Sequence, residues 1–585
     1  MNIKIKCKTN NPVIMKKMKL SYLALISAAV LLSSCGGLNK MKDAASDISY
    51  TVSPKPLEMQ GGEVEVTVET KFPPKYFNKK AIVVAKPVLV YDGGETAFDS
   101  TTVQGESVEA NNKVISFEGG NFSMTGTVPY NDDMHESSLE MRLYGVIGEN
   151  SVPFPPVKIA DGVIATATLV DNNPKAILVG DKFVRITPAD LSADIHYVIN
   201  RAYVRNSELR EKDIEAFEEA IREAYENERK EFTGFKISAY ASPDGEYDFN
   251  EELSADRQES SERYFKRELE QAEIDYPEGE DMFELLSTAE DWEGFKELVQ
   301  ESDIQDKELI LRVLSMYSDP AVREREIKNI SAAFEELKED ILPKLRRAKL
   351  VASINLVGYS DDEIKMLVDE NPDTLKREEI LYAATLFDDM DKKLEIYKKA
   401  EANFPKCFRA ANGVGYAYVE MGNYDQAESA FNRAQNLMDN EVIKNNLAAV
   451  ALANGNVEEA EEMLTEAAGA GPAVNYNLGI IKIMQGDYSA AVNYFGSVPS
   501  YNAALAQLLN GEPQAALSTL NNVEEEDAKV HYLKAIAGAR TSQQEIVLSN
   551  LRTAIQMDSS LKEFAREDLE FRDFRDNETF TSIVE

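Results

Sequence analysis

The sequence predicts a multidomain chain: an N-terminal all-β sandwich, an α/β domain with a helical insertion, and a C-terminal all-α solenoid of paired helices. Three observations carry this. Val64, Val66 and Val68 alternate with Glu63, Glu65, Thr67 and Glu69, the period of a half-buried strand. A strand, a loop with glycine and a helix follow one another over Ile237 to Arg257. Small residues, bulky apolar residues and glycines then recur at near-constant spacing beyond residue 400. At 585 residues the chain is too long for one core.

Composition narrows the function. The net charge is −39, and the first 35 residues hold six lysines and no acid, leaving −45 for the remainder. Such a surface repels phosphate backbones and anionic headgroups, which argues against nucleic acid and against electrostatic docking on membranes. Three cysteines (Cys7, Cys35, Cys407) and three histidines (His135, His196, His531) stand at no metal-ligand or disulfide spacing, so no metal or cofactor is expected. No Walker loop, Gly-x-Ser-x-Gly elbow or His-Glu-x-x-His run is present, so the chain reads as non-enzymatic.

The N-terminus reads as an export signal over residues 1–35. Met15 to Lys19, MKKMK, precedes the apolar run Leu20 to Leu32 and then Ser33-Ser34-Cys35-Gly36. The apolar run is far shorter than the roughly 20 residues that span a bilayer. Leu32-Ser33-Ser34-Cys35 resembles a bacterial lipobox, which implies lipidation of Cys35 and stable membrane anchoring. Translation from Met15 instead of Met1 would shorten the basic segment and omit Cys7. Residues 36–49 are polar and read as a flexible tether. They lack the acidic cluster that marks surface lipoproteins in Bacteroidota, the phylum the chain resembles, which favours the periplasmic side of the outer membrane.

The sandwich is expected over 50–172. Strands are predicted at Ile82–Tyr91, Val114–Phe117, Phe122–Val128, Leu139–Ile147 and Ile164–Val170, separated by Gly, Asn, Asp and Pro clusters. Six or seven such strands suggest an antiparallel sandwich of immunoglobulin type. Pro87 should interrupt its strand or sit at an edge.

The α/β domain is expected over 176–358. Ile195–Ile199 and Phe235–Tyr240 read as strands. Glu208–Lys230 reads as a helix capped by Asn206-Ser207, with Ile214, Phe217, Ile221 and Tyr225 on one face. A second helix runs from Asn250 to Glu270, and Leu345–Gly358 closes the sheet. The insertion, about 272–344, reads as acidic helices over Ala289–Gln300, Asp306–Met316 and Pro320–Leu342.

Gly245, Asn250, Leu253, Ser254 and Arg257 together resemble the OmpA-like peptidoglycan-binding domain. The resemblance implies a clamp in which an acid and an arginine hold the amine and carboxylate of diaminopimelate. Arg257 fits the cationic role, or forms an intramolecular pair with Asp256. Ser242 occupies the slot of the acid, and Asp244, two residues on, is the substitute within reach.

The solenoid is expected over 374–560. Ala427, Ala460, Ala491 and Ala516 stand at spacings of 33, 31 and 25, and Phe431, Leu464, Phe495 and Leu520 follow four residues later. Gly422, Gly455, Gly486 and Gly511 mark the turns. The pattern resembles the tetratricopeptide repeat. The spacing of 25 implies a shortened pair near Ser497–Tyr501, and the aromatic tail 561–585 reads as a cap.

First helices of such pairs line a concave face that takes peptides. Asn412, Asn446 and Asn477 recur at the fifth or sixth position of successive units. As a row they would hydrogen-bond the backbone of an envelope protein or peptide, and the alternative is that Asn445, Asn446, Asn475 and Asn477 cap helix starts. The expected function is a lipid-anchored periplasmic scaffold that grips a protein partner in this groove. Its competitors are a structural peptidoglycan anchor and a cell-surface adhesin or fimbrial accessory.

Overall fold

The computed structural model describes residues 28–274, 282–304, 306–329 and 331–585, with side chains omitted for 28–35 and 331–333. The expected export signal lies largely outside the described residues. The chain forms two compact units, one of residues 1–179 with 407–585, the other of 180–406.

In the first unit, two sheets of five and seven strands enclose one core. Val64, Val66 and Val68 are buried while Glu63, Glu65 and Glu69 face solvent along Glu63–Phe72. Ile82–Tyr91 is a strand as predicted. It pairs along its whole length with Ser137–Ile147. On its other side it pairs with Thr101–Gly105 through Ala85 and with Gly94–Ala97 from Val88 onward. Pro87 falls in the gap between those partners, where its missing N–H costs no ladder bond. It is thus neither a break nor an edge. The strand expected over Ile164–Val170 is a correction: only Val163–Ile164 pair, and Thr166–Leu169 is a 3-10 turn.

The expected flexible tether is also corrected. Ala28–Asp43 is one helix and Ala45–Asp47 a 3-10 turn. Leu38 and Met41 are fully buried in the sandwich core. Tyr76 Oη donates to the Met41 carbonyl at 2.7 Å. The apolar residues at 38, 41, 45 and 48 have a spacing that buries one face, which outweighs the polarity of the rest.

Beyond residue 407 the first unit is paired antiparallel helices. Phe408–Glu420 and Tyr424–Leu437 form the first pair, Glu441–Ala453 and Val457–Glu466 the second, and Pro472–Met484 and Tyr488–Phe495 the third. Short helices Tyr501–Leu509 and Pro513–Leu520 make the contracted pair that the spacing of 25 implies. Ala528–Arg540 and Gln544–Met557 complete the stack. Ala427, Ala460, Ala491 and Ala516 are all fully buried at helix contacts. The turns within the first four pairs pass through left-handed glycines, Gly422, Gly455, Gly486 and Gly511, with φ of 71°, 83°, 78° and 81°, and the turn of the fifth passes through Ser542 at 56°. The tail packs Phe571 and Phe580 into the same core, as a cap should.

The second unit holds a four-stranded sheet. Its strands stand in the order Ile186–His196, Arg347–Val357, Lys230–Tyr240, Phe283–Thr288. Helices Lys212–Glu226 and Tyr247–Gln271 cover it through Phe217, Ile221, Tyr264 and Phe265. Phe283–Thr288, parallel to Lys230–Tyr240, lies in the stretch expected to be helical. Its exposed outer positions and edge place gave no alternating signal in the sequence. Ser207 makes no capping bond, and the helix expected from Glu208 begins at Lys212 after a 3-10 turn. Helices of the insertion close their own small core around Phe295, Val299, Ile310 and Leu337. Helices before 407, which spacing assigns to the solenoid, group with this unit.

Candidate functional site

The solenoid's concave face carries a row of asparagines, each wholly buried: Asn412, Asn445, Asn446, Asn477 and Asn502. Helical repetition puts one on each successive first helix, with two, Asn445 and Asn446, on Glu441–Ala453. Their ligand is the chain itself. Residues 171–179, between the sandwich and the second unit, cross the face as an extended strap. Asn502 Oδ1 accepts from the Asp171 N–H at 2.9 Å and its Nδ2 donates to the Asp171 carbonyl at 2.8 Å. Asn477 does the same for Lys175, at 2.7 and 3.0 Å. Asn446 holds both polar groups of Ile177, at 2.6 and 2.8 Å. Asn412 accepts from the Val179 N–H at 2.8 Å and donates to the Ile177 carbonyl at 3.2 Å. Asn445 joins the rungs, donating to the Lys175 carbonyl at 3.1 Å and accepting from Asn477 at 3.2 Å.

The register follows from extended geometry. Alternate residues of a strand present their backbone groups to one side, so the rungs fall on 175, 177 and 179. One step spans four residues, Asp171 to Lys175, and it contains Pro174, which is buried and has no N–H to satisfy. Both amide groups of each asparagine are needed, because a strap residue offers one donor and one acceptor. Side chains add a little: Lys175 lies over the Tyr476 ring at 4.2 Å, and Asp171 pairs with Lys529 at 3.1 Å. Asn172 Nδ2 donates to the Leu452 carbonyl at 3.1 Å.

This corrects two expectations. The groove residues Asn412, Asn446 and Asn477 hold a segment of the same chain, not a vacant seat for a partner. Asn445, Asn446 and Asn477 lie inside helices and cap nothing, while Asn475 is exposed. Asn502 and the strap escaped sequence reasoning. Asn502 is the second residue of a contracted helix, off the register of the others. The strap's only signals are Pro174 and the lack of a helical or hairpin pattern.

The strap is bracketed by further contacts within the unit. Tyr501 Oη donates to the Leu169 carbonyl at 3.1 Å. Gln60 Nε2 donates to the Gly486 carbonyl at 2.9 Å. Thr166 Oγ1 donates to Glu570, which receives Arg540 through Nε and Nη2. Beside this cluster, burial and the Glu570 charge push the Asp568 carboxyl up to about 6, although Tyr532 Oη donates to it at 2.7 Å.

The second expected site, in the α/β unit, is built differently from a ligand clamp. Arg257 is only 1% exposed. Its guanidinium donates to three backbone carbonyls, Arg201 at 3.0 Å, Tyr240 at 2.7 Å and Val198 at 3.4 Å, and stacks over the Tyr197 ring. Burial lowers it to about 10, so it stays charged at neutral pH. Three of its N–H groups serve the end of one strand, at Tyr240, and the loop after another, at Val198 and Arg201, and it forms no pair with Asp256. Ser242 is buried and donates to Asp244. Asp244 is in turn held by Arg346 Nη2 at 3.4 Å, while Arg346 Nε donates to Ser242 Oγ at 3.2 Å. The structure thus brings Ser242 and Asp244 together with a cation, Arg346, that no motif singles out. Asn250 fastens the loop, donating to the Ser242 carbonyl at 3.0 Å and to the Gly245 carbonyl at 3.3 Å. Among the described residues, no group of His, Cys, Asp and Glu could hold a metal, and no helix is long and apolar enough to cross a membrane.

Comparison with known proteins bears on the solenoid. Residues 394–441 and 445–498 match the tetratricopeptide repeat family. No curated protein matches the chain. Among solved structures, similarity is found to the APC/C hetero-tetramer Cut9–Hcn1, at 19% identity and a TM-score of 0.31, covering 34% of this chain and 44% of that one. The alignment therefore spans less than half of that protein's length. A tetratricopeptide repeat protein from Parabacteroides merdae aligns at 14% identity and a TM-score of 0.29, covering 42% of this chain and 98% of its own. Pseudomonas aeruginosa pilF aligns at 17% identity and a TM-score of 0.26, covering 37% and 98%. The C-terminal helices of this chain are tetratricopeptide repeats, an architecture that binds proteins and peptides.

Proposed function

We propose that this protein is a lipid-anchored, non-catalytic scaffold on the periplasmic face of the outer membrane. Its repeat solenoid spends its peptide-binding face on the chain's own strap and meets a protein partner with its remaining surface. The observation that carries this reading is the asparagine ladder. Recognition of residues 171–179, mainly through their backbone, ties the solenoid to the sandwich side of the unit. A cleft of about 350 Å³ is left open elsewhere on the repeats. Leu447, Val450, Ala451 and Met463 give it an apolar floor, and Glu428, Lys444, Glu459 and Glu466 a charged rim. Such a cleft suits an apolar side chain of a partner with a polar surround.

The wall-anchor reading, drawn from the OmpA-like loop, is weaker. Its strand–helix–strand–helix order is present, but Arg257 is 1% exposed and turns three of its N–H groups to backbone carbonyls, away from a ligand carboxylate. The adhesin reading has no structural feature in its favour.

In-cell crosslinking of the full chain, compared with a chain lacking residues 407–585, tests the scaffold; an identical set of crosslinked proteins would refute it. Labelled palmitate incorporation, abolished by Cys35→Ser, tests the anchor. Purified peptidoglycan should retain the wild type no better than a control protein.

A further inference from the structure

The sandwich has a basic corner in an otherwise acidic chain. Gly37 packs directly on the loop at Asn78 and beside Ile147. Met41 receives Tyr76 Oη on its carbonyl and the Asn78 N–H on its sulfur. This fixes the helix segment 37–42 against the loop 73–81. Lys40 and Lys42 project from the helix and Lys75, Lys79 and Lys80 from the loop, all exposed. Lys79 is paired with Glu106 at 3.3 Å. The carboxylates on these segments and their bonded neighbours are Asp43, Asp47, Glu106 and Glu118, the last beside Phe117, whose carbonyl accepts the Lys75 N–H; five lysines thus meet four acids where the chain as a whole is strongly negative.

Net charge misleads about such a corner. At physiological ionic strength, charges more than about 8 Å away are screened, so a surface in contact feels the local lysines and not the distant acids. Position adds the second argument. Leu38 is locked in the sandwich core, and it follows Cys35 by three residues. Even fully extended, those residues reach about 10 Å. An acyl chain on Cys35 would hold the corner at the headgroup level with no slack.

Resting on the lipid anchor of the proposed function, we propose that the corner formed by Lys40, Lys42, Lys75 and Lys80 is a docking face for anionic phospholipid headgroups. The acyl chain supplies one membrane signal and this basic face the second, and together they set the sandwich flat on the bilayer.

The test uses the full acylated chain, purified and reconstituted in phospholipid nanodiscs with or without phosphatidylglycerol. Lysine reactivity toward an amine-acylating reagent is read by mass spectrometry. Lys158, on the strand Val157–Asp161 that pairs beside Glu140 at the opposite end of Ser137–Ile147 from Ile147, serves as the internal reference. In phosphatidylglycerol discs, Lys40, Lys42, Lys75 and Lys80 should react severalfold more slowly than in phosphatidylcholine discs, and high salt should restore them. Replacing these four lysines by glutamate should leave the chain disc-bound but remove the lipid dependence of labelling at Lys79, which stays exposed beside them. Chain that co-purifies with discs but labels equally in both lipids overturns the docking face alone. Chain that does not co-purify, or that co-purifies equally as Cys35→Ser, overturns the anchor and the docking face with it.

Discussion

Asn446 closes a two-bond ring on Ile177, accepting its N–H at 2.6 Å and donating to its carbonyl at 2.8 Å, across 269 residues of sequence. Nothing about the Ile177 side chain enters this contact. The solenoid therefore selects an extended backbone, and proximity in the same chain decides which backbone it receives.

Asn446→Ala should cost about 1–3 kcal/mol, because it strands the Ile177 N–H, while Asn412 still donates to the Ile177 carbonyl. Thermal unfolding measures the loss. Hydrogen exchange should locate it, with protection falling at residues 175–179 first. Asn432→Ala, on the rim of the open cleft, should leave both unchanged.

Gly415→Ala should destabilise the first pair by about 1–3 kcal/mol, an overpacking cost. A Cβ there would lie 2.5 Å from Phe431 Cδ1 and 2.8 Å from its Cζ, and Phe431 is wholly buried. Gly415→Ala with Phe431→Leu should recover part of the loss. A melting temperature unchanged in the single variant would contradict the packing described.

Arg257→Ala should unfold the α/β unit rather than remove a ligand contact. Three backbone carbonyls lose their donor, a cost on the order of 3 kcal/mol or more. Arg257→Lys should rescue little, since one ammonium cannot reach three carbonyls arranged for a planar fork. Circular dichroism and limited proteolysis distinguish this from selective loss of binding.

Asp568 should make stability fall as the solution turns from acid to neutral. Its folded pKa of about 6 lies above the ordinary value, so the folded state holds the proton more tightly than the unfolded one. The contribution is present below about pH 4, declines through pH 6 and is gone above it, a swing of up to about 3 kcal/mol. Asp568→Asn should be more stable than the wild type at pH 7.5 and lose that advantage at pH 4. Equal differences at both pH values would refute the assignment.

Sequence pattern revealed elements with strong periodicity or obligatory chemistry. The valine alternation at 64–68, the buried alanines and the left-handed glycines each carry a local physical requirement, and all three are met. Elements whose order comes from distant contacts were not legible. Leu38 and Met41 read as part of a polar tether because the sandwich that buries them lies elsewhere in sequence. Phe283–Thr288 is half-exposed at a sheet edge and so shows no alternation. The asparagine row was visible, but not its occupant, since a backbone recognised without its side chains leaves no signature. Arg257 was found, and its role was not, because a motif names a residue without saying which acceptors surround it.

The strap also orders events during synthesis. Its partners lie 233 to 331 residues downstream of it. At ribosomal rates that interval lasts on the order of tens of seconds. The sandwich has every strand it needs before then, whereas residues 171–179 emerge with their amides unpaired. They settle only when the helices from Asn412 to Asn502 have arrived, so this step of maturation waits on the solenoid. Truncations that spare the sandwich would still leave this stretch open to proteases.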